Sequence, residues 1–549
     1  MGGKRRLYLC LSLIRLYLAL APSYIHPDEH FQGPEVVAGE HFGWKVTKTW
    51  EFTAENPIRS YVPLLAVYAM PMTLLQWILN ADPNPTMLFY GVRLLFYFFS
   101  MVYEDWALLE LGSTIAPNGG LLLTASSWVT WSIQTRSFSN SVETVVLLWS
   151  LVFMQRIVKS KGPAARNCVV LALFVVFGTF NRITFPAFLF LPGISLLRHF
   201  IKYPSSLVAF VLPTILTTVG FVILDTHIYT QIPIDSLKLT DLIITPLNNL
   251  IYNSSTDNLA QHGLHPHYTH VLINLPQLLG PSLILLLSSL HPRLLTGCTP
   301  LLAAVSGIVT LSAFKHQEAR FLIPAVPLIL ASVRLPASTA WRRRWMAAWA
   351  LFNVAFGVLM GVFHQGGVVP AQLYLGGIEG LEEAVWWKTY KPPTWLLGAR
   401  GRDVRTVDLM GAKVDVLADV VREMAVCDYD DDDSSAHKGR KKRTRRLRKV
   451  LVAPTSAVAL DRWVEGAGRR DNDSFVLRKV WSYSRHLNLD DMDFGDDGVM
   501  PTLQRVVGRR GIAAYEVVKA ACAKTSRNET STAGGIDDVR HGGGNERDL

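Results

Sequence analysis

Charged side chains are scarce along most of this chain. Of its 98 Lys, Arg, Asp and Glu residues, 46 fall in residues 1–400 and 52 in residues 401–549. Apolar runs fill the charge-poor part, at 7–23, 61–80, 87–111, 119–133, 142–158, 167–180, 184–197, 205–224, 270–290, 298–314, 321–336 and 346–363. A complete membrane span needs ~20 residues and several of these runs are shorter, so broken or partial helices are expected among them. The expected fold class is a polytopic α-helical membrane protein with about 9–12 transmembrane helices and a polar C-terminal region. A secreted soluble enzyme, a collagenous chain and a wholly disordered chain are excluded by the same distribution.

Lys4, Arg5 and Arg6 precede the first run, a pattern shared with signal peptides. Arg15 interrupts that run and no small-residue cleavage site follows, so a retained first helix with a cytosolic N-terminus is expected. With 119–133 taken as partial or re-entrant, Lys159/Lys161/Arg166, Arg198/Lys202, Arg293 and Arg342/Arg343/Arg344 all fall on the cytosolic side, as basic residues should. Segments 24–60, 134–141, 226–269 and 315–320 then face the lumen, together with the C-terminal region and its sequons at Asn472 and Asn528. The domain expectation is a multi-span catalytic part over 1–365, a lumenal juxtamembrane region over 366–427 and a charged mobile insertion over 428–448. A small polar folded unit over 449–523, with strands near 449–452 and 474–480, and a disordered tail over 524–549 complete it. The basic run in 437–449 reads as a solvated insertion, and no nucleic-acid partner is expected. The five cysteines form no CxxC pair and suggest neither a disulfide framework nor a zinc site.

The segment YIHPDEHFQGPE at 24–35 sets His26, Asp28, Glu29, His30, Gln32 and Glu35 just beyond a membrane helix. Ionisable groups at such a boundary lose water and generally serve a function. Asp28 and Glu29 are adjacent and must point in different directions, so one carboxylate can face a substrate while the other is held by structural partners. A lone acid does not suit a glycosidase, where two carboxyl groups flank one bond. It suits an inverting glycosyl transfer from a lipid phosphate donor, in which one carboxylate takes the proton of the attacking hydroxyl and the phosphate leaves already charged.

HPDEHFQ after the first apolar helix resembles the signature of the dolichyl-phosphate-mannose-dependent mannosyltransferases of glycosyltransferase family 22. TRSFSNSVET (135–144) and KHQEARFLIPAVPLIL (315–330) are similar to two further blocks of that family. The resemblance covers about residues 5–365 and implies the large integral-membrane (GT-C type) glycosyltransferase fold, acting on the lumenal face of the endoplasmic reticulum membrane. The wording of the first block and the HGLHP of loop 245–276 resemble the glycosylphosphatidylinositol (GPI) branch of the family. This implies dolichyl phosphate mannose as donor, a GPI precursor glycolipid as acceptor and an α-1,2-linked fourth mannose as product. Third-mannose enzymes and lipid-linked-oligosaccharide mannosyltransferases of the family are the alternatives, and a multi-span transporter is the non-enzyme alternative.

The resemblance assigns catalysis to the acidic pair, with Asp28 as general base and Glu29 as its rival. His26, His30 and Gln32 are expected to bind substrate beside them. Lys315, His316 and Arg320 suit the departing phosphate, Arg320 in fork geometry and Lys315 as a point charge; a snorkelling cluster paired with Glu318 is the competing expectation. Arg136, Asn140 and Glu143 are expected to line the site, although helix packing explains Ser and Asn nearly as well. His262 and His265 are expected to hydrogen-bond acceptor or phosphate, with packing as the alternative. No metal and no cofactor are expected, because a lipid monophosphate donor presents no diphosphate to neutralise.

Overall fold

The computed structural model describes residues 2–80, 83–112, 119–261, 263–289, 298–425, 449–465, 474–489, 492 and 494–520. His262, Arg293, the insertion at 428–448, Asn472, Asn528 and residues 524–549 lie outside the described residues. The chain divides into two compact units. One comprises Met1–Gly376, Pro392–Arg402 and Arg485–Leu489; the other comprises Gly377–Lys391, Asp403–Ser484 and Asp490–Leu549.

The first unit is helical. Among the described residues, Tyr61–Leu79, Pro85–Gly112, Ser139–Lys159, Pro204–Thr230 and Thr339–Phe363 are long and apolar enough to cross a membrane. Ala165–Asn181, His270–Leu279 and Thr299–Ser312 are shorter apolar helices. Several helices contain π-helical turns, at Leu65–Ala69, Phe99–Glu104, His270–Asn274 and Leu359–Phe363, where the backbone ladder shifts by one residue. The 119–133 run is two pieces, Gly119–Ala125 and Trp128–Ser132.

The 321–336 run departs from the expected helix. It holds a single 3₁₀ turn, Ala319–Leu322, and the six-residue helix Ala325–Leu330. Pro324, Pro327 and Pro336 remove backbone donors and limit helix length, and every side chain from Ala325 to Leu330 is buried. This segment is core rather than a lipid-facing span. Arg15, which interrupts the first apolar run, lies buried in helix Gly2–Leu20 and pairs with Asp105 at 3.2 Å. A charge inside an apolar layer is sustained by such a partner.

The second unit is built on a five-stranded sheet. Its strands are β1 (Glu383–Trp386), β2 (Arg405–Asp408), β3 (Lys449–Pro454), β4 (Phe475–Tyr483) and β5 (Ile512–Lys519), in the order β2-β1-β3-β5-β4. β1 runs parallel to β2 and β3, whereas β5 is antiparallel to both its neighbours. Helix Val414–Met424 turns Leu417, Val421 and Met424 into the same core as Val385, Leu451, Leu477 and Val517.

Candidate active site

A short helical turn places the acidic pair. Pro27 begins the turn with φ already near the helical value, and Asp28–Phe31 follows. Consecutive residues on a helix point about 100° apart, which separates the two carboxylates. Glu29 is fully buried. It ion-pairs with Arg93, lies 3.4 Å from Arg136 Nη1 and accepts the Ile25 backbone N–H at 3.2 Å. Burial alone would raise its carboxyl; the two guanidiniums outweigh that and hold it below the usual carboxylate range.

Asp28 keeps 17% of its side chain exposed and meets a different set of groups. Gln32, one helical turn on, donates its amide to Asp28 Oδ2, and Arg320 pairs with the same oxygen. His26 Nδ1 lies 3.5 Å from Asp28 Oδ1 and accepts the Asp28 backbone N–H at 3.2 Å. It also lies 3.4 Å from Arg320 Nη1. The pair thus divides into an enclosed carboxylate and a partly exposed one.

Arg320 comes from the 3₁₀ turn Ala319–Leu322. Glu318, extended, precedes the turn and Arg320 is the second residue within it, so both side chains leave the chain at the entry to one 3₁₀ turn. Glu318 bridges His316 and Arg320: His316 Nε2 is 2.8 Å from its Oε1, and Arg320 grips it through Nε and Nη2. The hydrogen bond to Glu318 raises His316 above its ordinary value. Burial works to raise Glu318, but its partners, His316 first, hold it below the usual range. His316 Nδ1 in turn contacts the Gly263 carbonyl at 3.1 Å, and His265 receives the Gln317 backbone N–H on its ring at 3.3 Å. The network therefore runs from Asp28 to the histidine loop. Lys315 is exposed, and its backbone carbonyl accepts the His265 backbone N–H at 2.7 Å.

Four further sequence candidates are buried. His30 is buried among Tyr24, Phe89 and Trp395, accepts the Trp395 indole N–H at 3.3 Å, and is pushed down to about 3 by burial. Arg136 is wholly buried and donates to Ser23 and the Gly361 carbonyl as well as to Glu29. Asn140 and Glu143 are buried in helix Ser139–Lys159, where Glu143 bonds Thr184 at 2.6 Å and Arg182 at 3.1 Å. Arg182 Nη1 reaches Ser139, whose hydroxyl donates to Gln32 Oε1 at 3.1 Å, so this cluster touches the site through Gln32.

Glu35 anchors the segment from the other side. It accepts Thr47 N–H, Thr394 N–H and hydroxyl, and Trp395 N–H; burial nevertheless pushes it up to about 7. Sequence reasoning passed over Arg93, Glu51, Arg59, Arg182 and Trp395. Arg93 alone carried a signal, as a charge within an apolar run.

The signature of the Alg9-like mannosyltransferase family matches residues 6–397, a span that contains the acidic turn, the Arg136 block and the Arg320 block. The chain belongs to this family. It is therefore an enzyme, a membrane-embedded mannosyltransferase, and the transporter alternative is set aside. Alg9-like relatives extend over nearly the whole chain. The chain is 42% identical to GPI mannosyltransferase 4 of Aspergillus oryzae, over 94% of this chain and 99% of that one. It is 36% identical to GPI mannosyltransferase 4 of Saccharomyces cerevisiae, over 88% and 94%. Among solved structures it is similar to ArnT from Cupriavidus metallidurans bound to undecaprenyl phosphate, with TM-score 0.48, 11% identity and coverage of 94% and 98%. A second is the archaeal oligosaccharyltransferase AglB from Archaeoglobus fulgidus, with TM-score 0.38, 9% identity and coverage of 85% and 72%.

Proposed function

We propose that this chain transfers mannose from dolichyl phosphate mannose, in α-1,2 linkage, to the third mannose of the GPI-anchor precursor at the lumenal face of the endoplasmic reticulum membrane. Two relatives named GPI mannosyltransferase 4, each matching most of the chain, support the acceptor class. The division of the acidic pair carries the mechanism. Asp28 is partly exposed with a guanidinium against it, and Glu29 is enclosed between Arg93 and Arg136.

Asp28 is the general base in this reading. The acceptor hydroxyl attacks the anomeric carbon, its proton passes to Asp28, and the bond from that carbon to the phosphate oxygen breaks with its electron pair leaving on phosphate. The configuration inverts. Arg320 turns Nη1 from Asp28 towards the departing phosphate while Nε and Nη2 stay on Glu318, which frees Asp28 of its counter-ion as a base is needed. His316 and Glu318 aim the guanidinium, and Lys315 adds exposed positive charge for the same anion. Glu29, held by the two buried arginines, fixes the turn that presents Asp28. Arg136, His30, Asn140 and Glu143 act as support, and His26, Gln32 and His265 border the substrate.

The acceptor decides the assignment. Purified enzyme in lipid nanodiscs is supplied with dolichyl phosphate mannose and, separately, a two-mannose GPI, a three-mannose GPI and a lipid-linked oligosaccharide. Transfer to the three-mannose GPI is expected; transfer confined to either of the others would refute the assignment.

A further inference from the structure

Beside the acidic turn lies a cluster that the mechanism above leaves unused. Gln32 Nε2, which donates to Asp28, is 3.2 and 3.4 Å from the two carboxylate oxygens of Glu51. Arg59 closes on Glu51 Oε1 through Nε at 3.0 Å and Nη2 at 2.8 Å. Neither member of this pair is fully buried, at 14% and 13% side-chain exposure. Next to Glu51 in sequence, Trp50 is 38% exposed, and its ring stacks at a tilt on Tyr252, with centroids 4.6 Å apart.

The backbone beneath this cluster is fixed at three consecutive carbonyls. Asn248 donates to Pro57 O at 3.0 Å, Asn249 to Ile58 O at 3.2 Å, and the Tyr229 hydroxyl to Arg59 O at 2.6 Å. Ile58 N–H returns to Glu51 O at 3.0 Å. A part-buried ion pair is by itself weak evidence of a stabilising role, since desolvation offsets its attraction. Its preorganisation instead suits recognition, since groups held in place before binding lose little entropy on binding.

We infer that Trp50, Tyr252, Glu51 and Arg59 form the subsite for the acceptor sugar. A pyranose ring offers an apolar C–H face to an aromatic ring and, at its edge, neighbouring hydroxyls that pair with a carboxylate and a guanidinium. Both chemistries are present, and Gln32 bonds Glu51 as well as Asp28, the group that must meet the attacking hydroxyl. Two arms thus leave Asp28 with different chemistry. The Arg320 arm is cationic and suits the donor phosphate, whereas the Gln32 arm ends in a neutral ion pair and two aromatic rings, which suits an uncharged sugar. The inference deepens the proposed function and rests on Asp28 as base.

The test is steady-state kinetics of the full chain in nanodiscs, with dolichyl phosphate mannose and a three-mannose GPI glycolipid varied in turn. Hydrolysis of the donor by water is followed without acceptor. Trp50→Ala and Arg59→Ala are each expected to raise the acceptor KM about tenfold to a hundredfold, the range for losing a contact to a charged or stacked group. The donor KM and donor hydrolysis are expected to stay unchanged. Trp50→Phe, which keeps a ring, is expected to recover most of the loss. If Trp50 were only an anchor at the membrane surface, or Arg59 only a structural brace, the acceptor KM would not move; that result, or an equal rise in both KM values, overturns the inference. Should the wild-type enzyme use a different mannose-terminated acceptor, the proposed acceptor fails, and the same variants judge the subsite on that acceptor.

Discussion

Asp28 and Arg320 form an ion pair between a helical turn in the first extramembrane segment and the 3₁₀ turn Ala319–Leu322. In the proposed mechanism, base and cation neutralise each other until donor phosphate competes for the guanidinium. Arg320→Gln is therefore expected to lower kcat by about 10²-fold or more, the usual cost of removing a preorganised donor from a developing anion. Arg320→Lys retains charge without the fork and should fall between. The check is turnover per folded enzyme; wild-type kcat in Arg320→Gln would remove the phosphate role.

The two adjacent carboxylates should answer to different measurements. Glu29→Gln leaves Arg93 and Arg136 buried without their counter-charge, a change that costs about 3–5 kcal/mol in comparable buried pairs. A clear fall in Tm in detergent is expected, while Asp28→Asn, at the partly exposed position, should keep Tm near wild type. Equal losses of Tm in the two variants would contradict the division.

The His316–Glu318 pair sets a pH signature. His316 is raised above 6.5 by its bond to Glu318, so its stabilisation is complete below pH 6.5 and fades as pH climbs through the raised value. Glu318 is held below 4.5, so its contribution is complete above pH 4.5 and fades as pH falls further. The pair stabilises most between these limits. Thermal melts from about pH 4 to about pH 9 should show a decline above pH 6.5 that His316→Gln flattens; parallel profiles for the two proteins would show the pair to be inert.

Residues 485–489 are expected to be a structural strap of the helical unit. Leu487 exchanges backbone hydrogen bonds with Phe363 and Gln365, at 2.8 and 2.9 Å, and Tyr24, beside the acidic turn, bonds the His364 carbonyl at 3.3 Å. A β-carbon on Gly366 would lie 2.2 Å from the Arg485 carbonyl oxygen and 2.4 Å from that of Val362. Backbone cannot yield as a side-chain tip would, so Gly366→Ala should cost about 1–3 kcal/mol. Gly193→Ala, with no atom within 4 Å of the added carbon, should be neutral or slightly stabilising. Differential scanning of both variants decides it.

Much of the site was legible because ionisable groups are conspicuous in an apolar chain. The Asp28 turn and the His316–Arg320 stretch stood out for that reason, and both enter one network. That Asp28 and Glu29 face different surroundings followed from their adjacency, but which one is enclosed did not, because the enclosing groups, Arg93 and Arg136, arrive from elsewhere in the chain. Glu51, Arg59 and Arg182 were illegible for the same reason: each reads as a loop or helix-end charge until its partner is known. The 321–336 run misled because apolar length alone does not separate a buried, proline-broken core segment from a span. Local spacing carried what lies within one turn, such as Asp28 with Gln32, and not what tertiary packing brings together.

The most direct measurement of the central claim is mannose transfer by Asp28→Asn, with expression, membrane insertion and Tm matched to the wild type. The substitution keeps the side chain's size and removes the proton acceptor. Transfer from dolichyl phosphate mannose to a three-mannose GPI glycolipid should fall by about 10²-fold or more, with donor binding retained. Turnover close to wild type in a correctly folded Asp28→Asn enzyme would contradict Asp28 as the base.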